Sequence, residues 1–201
     1  MTVAKRAQVQ ASTQTSAQGL AQALDRPVIL VIHGPNLNLL GTREPHIYGQ
    51  STLPEVDNDL KARGAELGVS VETFQSNHEG LLIDRIQEAR GVAAGLIVNA
   101  GGLTHTSVSL RDAIAAVEIP TVEVHLTNLY KREEFRHRSY LAPVCLGQIA
   151  GLGAIGYRLA LDALARLVLH EQPGTSRQLK VTPSSSNKSR AATSFKKGTA
   201  R

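Results

Sequence analysis

Tyr48, His125, Arg43 and Asn36 are the residues of this chain whose types suit proton transfer on a polar, anionic small molecule. His125 ends the apolar run Pro120-Thr-Val-Glu-Val-His125, and a histidine so placed can serve as general acid or base. Tyrosine ordinarily titrates near ~10, so Tyr48 becomes a base only beside a cation that favours its phenolate. Arg43 precedes it by five residues and is permanently charged. Taken alone, the loop that carries both is better explained by a surface arginine and a half-buried tyrosine. The rest of the chain shifts that balance.

Two more apolar runs end in polar clusters. Val28-Ile-Leu-Val-Ile32 runs into His33-Gly-Pro-Asn36, where Gly34-Pro35 makes a tight turn that fixes Asn36. Gly41 and Gly49 then bracket a stretch with the character of a lid. Gly95-Leu-Ile-Val98 leads into Asn99-Ala-Gly-Gly-Leu-Thr-His105. Paired glycines let the backbone approach a ligand, and Asn99 and His105 offer directed hydrogen bonds to hydroxyls. Beyond His125, the backbone N–H groups of Leu126 and Thr127, with the Thr127 hydroxyl, could hold a carboxylate. Arg132 and Arg136 stand four apart and could face the same pocket. A lone histidine at a strand end is often structural. Three polar clusters at three strand ends seldom all are.

Other chemistries lack their residues. The histidines stand singly and the one cysteine, Cys145, has no partner, so no zinc-site spacing is present. A Schiff-base mechanism needs a buried lysine, and the segment 27–170 has only Lys61, on a polar helix face, and Lys131, in a polar segment. No Gly-x-Ser-x-Gly elbow occurs. Gly151-Leu-Gly-Ala-Ile-Gly156 matches a dinucleotide fingerprint, but no strand with an acidic residue follows it. Close strand-to-helix packing is the role expected of those glycines.

These clusters need a scaffold that brings strand ends together. Strands are expected over 27–33, 69–74, 95–99, 121–125 and 143–148. Helices are expected over 52–67, 79–91, 106–117 and 152–169. Thr52-Leu-Pro-Glu55 has the capping-box spacing, and Leu82, Ile83, Ile86 and Ala89 share a helix face. The segment 126–140 is polar and expected to be irregular. Alternating strands and helices predict a doubly wound five-stranded parallel sheet in three α/β/α layers, with ligands bound above the strand ends.

Charge divides the chain. Residues 1–26 carry a net +2 and residues 171–201 a net +6, which leaves −3 for the middle. Both ends read as disordered extensions around one catalytic domain over 27–170. A basic tail could touch nucleic acid, though a solvated extension explains it more simply. Residues 1–20 lack the apolar core of a signal peptide, which points to the cytoplasm; their basic, acid-poor composition also fits an organellar transit peptide. No apolar run approaches the roughly 18 residues of a membrane span.

The segments HGPNLNLLGTREPHIYG (33–49), FQSNHEG (74–80), NAGGLTHTSVSLRDAI (99–114), VEVHLTN (122–128) and REEFRHRSYLAP (132–143) together resemble type II 3-dehydroquinate dehydratase. The resemblance spans essentially all of 27–170. It implies a flavodoxin-like sheet and anti elimination of water from 3-dehydroquinate, through an enolate, to 3-dehydroshikimate, with no cofactor and no metal. Tyr48 is then the base, Arg43 lowers its pKa, Asn36 helps hold a water that stabilises the enolate, and His125 protonates the departing hydroxyl. Leu126 and Thr127 would bind the carboxylate, and Asn99, His105 and Arg136 the hydroxyls. Glu123 would orient site groups, with Pro35 and Arg132 in support. Asp112 would reach a neighbouring subunit's site, within a dodecamer of trimers. Family members often have Ser where this chain has Thr127, which keeps the hydroxyl. Biosynthetic and quinate-degrading roles both stay open. A flavodoxin-like FMN or phosphate-binding module is the alternative from another class, but Pro35 and Leu37 stand where a phosphate loop would be rich in Ser, Thr and Gly.

Overall fold

The computed structural model describes residues 26–42 and 51–170. Its five parallel strands are β1 (Val28–His33), β2 (Ser70–Gln75), β3 (Ala93–Asn99), β4 (Thr121–His125) and β5 (Gly147–Ala150), in the order β2-β1-β3-β4-β5. Helices α1 (Leu53–Leu67), α2 (Glu79–Glu88), α3 (Val108–Val117) and α4 (Ile155–His170) cover both faces.

Strand alternation builds the two cores. Ile29 and Val31 of β1 face Leu60 of α1 and Leu161 and Leu164 of α4. Leu30 and Ile32 face Leu82 and Ile86 of α2 and Leu110 and Ile114 of α3. Because both faces are covered, β1 is apolar from Val28 to Ile32. Burying each such side chain contributes roughly 1.5–3 kcal/mol.

The chain leaves β1 for β2 on one side, then returns over β1 to β3 on the other. That reversal opens a crevice between the carboxyl ends of β1 and β3, where open α/β sheets bind ligands.

Local signals account for most boundaries. Thr52 and Glu55 form a reciprocal capping box at the start of α1, with Pro54 in the first turn. Ser107 caps α3 by accepting the Leu110 N–H at 2.8 Å. The helix expected over 79–91 stops at Glu88, and β3 begins earlier than expected, at Ala93.

The largest departure is the last strand. The stretch from Pro143 was expected to be extended, yet Ala142–Val144 is a 3-10 turn and pairing starts with the Leu146 N–H on the Thr121 carbonyl at 2.7 Å. Ser139 Oγ accepts the N–H groups of Leu141 and Ala142 and so curls the chain where its apolar letters suggest a strand. Helix α4 starts at Ile155 rather than 152. The packing role expected of the glycine run falls to Gly156, where a Cβ would stand 3.4 Å from Ile149 and 3.5 Å from Val124.

Candidate active site

The carboxyl ends of β1, β3 and β4 meet at one pocket. His33 and Asn99 are register partners, and the Gly34 N–H donates to the Asn99 carbonyl at 2.8 Å. The loops after β1 and β3 then run backbone against backbone. A Cβ on Gly34 would stand 2.5 Å from the Ala100 carbonyl oxygen, so no side chain fits there. Gly101 has φ +57, and a Cβ there would meet the Pro35 carbonyl oxygen at 3.2 Å. Asn36 also adopts a left-handed conformation, φ 69, which Asn tolerates better than most residues. Its N–H donates to Asn77 Oδ1 at 2.9 Å.

The pocket is lined by Pro35, Asn36, Leu37 and Leu40 from the first loop, and by Asn99, Gly101, Gly102 and His105 from the second. His125, Leu126, Thr127, Leu129, Arg132 and Arg136 complete it from β4 and the segment beyond. Short 3-10 turns at Leu129–Lys131 and Glu134–Arg136 shape that segment. Arg132 Nη1 donates to Thr127 Oγ1 at 3.4 Å, and Arg136 Nε to Glu133 at 2.9 Å.

His125 is 5% exposed, and its Nε2 lies 2.8 Å from Oε1 of Glu123, which is fully buried. Burial alone would push the Glu123 carboxyl towards protonation. Hydrogen bonds from His125, Thr104 and Ser139 outweigh that and hold it below its ordinary value. Ser139 lies 2.9 Å from both carboxylate oxygens, and Gln148 Nε2 donates at 2.9 Å. An ionised carboxylate only accepts, so His125 Nε2 carries a proton and Nδ1 is left to meet a ligand.

His105 is oriented by the same logic. Its Nδ1 lies 2.8 Å from the Arg138 carbonyl and must donate to it, which leaves Nε2 as an acceptor. Desolvation lowers its pKa; the Arg138 carbonyl opposes this, while His125 and Arg136 reinforce it. His105 is therefore neutral at neutral pH. Its ring stacks on His125 with centroids 6.3 Å apart.

Three catalytic or substrate-binding candidates from the sequence are not among the described residues that line the pocket. Arg43 and Tyr48 lie outside the described residues; the segment that carries them begins just after Thr42, close in sequence to the pocket residue Leu40. Asp112 does not line the pocket. It is exposed on α3 and pairs with the adjacent Arg111 at 2.7 Å. Lys61 and Lys131 are both exposed. Among the described residues no group of His, Cys, Asp and Glu could hold a metal ion. Cys145 is half-buried, and burial pushes its thiol up to about 12, so it is not a thiolate at neutral pH.

Supporting residues that the sequence left unmarked sit behind the pocket. Thr104, Ser139 and Gln148 surround Glu123, Asn77 holds the Asn36 backbone, and Tyr157 binds Asn99. Tyr157 had a usable signal. It shares the apolar face of α4 with Ala160, Leu161 and Leu164, and a hydroxyl buried there needs a polar partner.

The family model for dehydroquinase class II matches residues 27–165. A protein from Ruegeria pomeroyi named 3-dehydroquinate dehydratase is 61% identical over 137 residues, covering 68% of this chain and 92% of its own. A catabolic 3-dehydroquinase 2 from Neosartorya fischeri is 54% identical over 143 residues, 71% of this chain and 95% of its own. The crystal structure of a type II dehydroquinase from Butyrivibrio crossotus superposes with a TM-score of 0.68 at 48% identity, covering 69% of this chain and 97% of that one.

Proposed function

The chain belongs to the dehydroquinase class II family, and on that premise we propose that it dehydrates 3-dehydroquinate to 3-dehydroshikimate with Tyr48 and His125 as its proton-transfer pair. The observation that carries the site reading is the pairing of His125 with the buried, ionised Glu123 at the pocket wall. The carboxylate holds His125 by Nε2 and leaves Nδ1 to pass a proton to a departing hydroxyl.

In this reading Tyr48, favoured as phenolate by Arg43, takes the proton beside the ketone and leaves an enolate. A water held with the help of Asn36 stabilises the enolate oxygen. The enolate returns its electron pair to form the carbon–carbon double bond. The hydroxyl leaves with a proton from His125, and water and the conjugated enone result. Leu126 and Thr127 bind the substrate carboxylate. Asn99, His105 and Arg136 bind its hydroxyls, with His105 Nε2 accepting. Glu123 orients His125, and Pro35 and Arg132 shape the walls. None of these steps calls for a metal or cofactor.

The same chemistry serves biosynthetic and catabolic roles, and relatives named 3-dehydroquinate dehydratase and catabolic 3-dehydroquinase 2 are both similar to this chain. Asp112 on its exposed helix face, with Val108 one turn earlier and 54% exposed, suits contact with a neighbouring subunit in a dodecamer of trimers. No described helix is long and apolar enough to cross a membrane, and a cytoplasmic enzyme is the reading in keeping with that.

The direct assay adds 3-dehydroquinate to the purified protein and follows the absorbance of the conjugated enone. Steady growth of that band is expected. Its absence at high protein concentration would overturn the assignment.

A further inference from the structure

A line of buried hydrogen bonds runs from the pocket through the sheet to helix α1. Asn99 Nδ2 donates to the Tyr157 hydroxyl at 2.9 Å, and that hydroxyl lies 2.9 Å from His33 Nδ1. His33 Nε2 lies 3.0 Å from Asp57 Oδ1, and Thr73 Oγ1 donates to Asp57 Oδ2 at 3.0 Å. Asn99 is 3% exposed, and His33 and Tyr157 are fully buried. Of this line only Asn99 touches the pocket.

The direction of each bond follows from what each group can do. Hydrogen bonds from His33 and Thr73 outweigh desolvation and keep Asp57 below its ordinary value, so it only accepts. His33 Nε2 therefore donates to Asp57, and its Nδ1 is left facing the Tyr157 hydroxyl, whose own proton it accepts. The Tyr157 oxygen is then open to a donor, and only the Nδ2 end of Asn99 satisfies it. At the other end, the Gly101 N–H donates to Asn99 Oδ1 at 3.2 Å and needs an acceptor. A carboxamide turned by half a rotation would set amine against N–H on one side. It would leave the tyrosine without its donor on the other.

We infer that Tyr157 and His33 are positioning residues for the dehydration, holding the Asn99 carboxamide in the one orientation that presents it to the substrate. The inference rests on the reading that Asn99 binds a substrate hydroxyl. Neither residue touches the pocket, so each acts through Asn99.

The test is a double-mutant cycle on the full chain, with kcat/KM read from enone formation. Asn99→Ala should lower kcat/KM by roughly 10–100-fold, the loss of hydrogen bonds to a substrate. Tyr157→Phe should lower it about 3–10-fold. The double variant should match Asn99→Ala within about 2-fold, because the tyrosine has no route to substrate once the carboxamide is gone. Independent losses that multiply would overturn the inference.

A second pair of variants reads the same point should Tyr157→Phe fail to fold. His33→Asn keeps an acceptor at the place of Nδ1 and should retain most activity, whereas His33→Leu should fall like Tyr157→Phe. Equal kcat/KM for the two His33 variants would overturn the positioning role. Wild-type activity in Asn99→Ala would instead sink the reading of the site, and the inference with it. A slow Asn99→Ala beside an unimpaired Tyr157→Phe would sink the inference alone.

Discussion

His125 Nε2 and Glu123 Oε1 are 2.8 Å apart on one strand, two residues from each other and therefore on the same face of β4. The spacing is the shortest that lets a strand pair two of its own side chains. It puts a charged partner behind the pocket histidine and leaves the other ring nitrogen free for the substrate.

Replacing that partner should be felt in both rate and stability. Glu123→Gln keeps the shape but removes the carboxylate that accepts from His125 Nε2 at 2.8 Å. Turnover should fall by roughly 10–100-fold, because the imidazole is no longer held by a carboxylate. The new amide also places donors where Thr104, Ser139 and Gln148 already donate. A buried mismatch of that kind costs about 1–3 kcal/mol, which a thermal melt would register. Unchanged turnover would remove Glu123 from the mechanism.

Acid should destabilise the fold in two stages. His105 has a folded pKa below its unfolded ~6.5, so the unfolded chain takes up that proton first as pH falls, and the folded state loses ground from ~6.5 down to the folded value. Glu123 and Asp57 also have lowered folded values. Their contribution is present above the unfolded ~4 and is lost as pH falls through those folded values. Urea unfolding from neutral pH down to about pH 2 checks this, with His105→Gln expected to flatten the upper stage only.

Borohydride should not inactivate the enzyme in the presence of substrate. Lys61 and Lys131 are exposed, and neither lines the pocket where an imine would have to form. Mass spectrometry after reduction should find no adduct, and an adduct on either lysine would replace the proposed mechanism.

Asp112→Ala separates a surface carboxylate from a subunit contact. Light scattering should show a weakened oligomer, or the assay should show a raised KM, with the monomer fold intact. A variant equal to wild type in assembly and kinetics would leave Asp112 no role beyond its ion pair with Arg111.

Much of the scaffold was legible because each of β1, β3 and β4 changes from apolar to polar at its carboxyl end. That change marks both where a parallel strand stops and where a ligand can bind. β4 spans Thr121–His125 as its pattern suggests. The last strand was less legible: Val144 and Leu146 look extended, but the turn that Ser139 stabilises depends on a side chain several residues upstream. Tyr157 was missed because helical spacing marks it only as core, and its partner Asn99 is 58 residues away in sequence. Arg43 and Tyr48 lie outside the described residues, so their placement rests on resemblance alone.

The division of labour between Tyr48 and His125 is tested most directly by following 3-dehydroquinate in deuterated water by NMR, which reads carbon–deuterium exchange beside the ketone and enone formation in one sample. His125→Ala should slow enone formation by roughly 10²–10⁴-fold while exchange continues, because the base still makes the enolate but the hydroxyl lacks its acid. Tyr48→Phe should lose exchange and elimination together. Elimination at the wild-type rate in either variant, or loss of exchange in His125→Ala alone, would contradict the proposed pair.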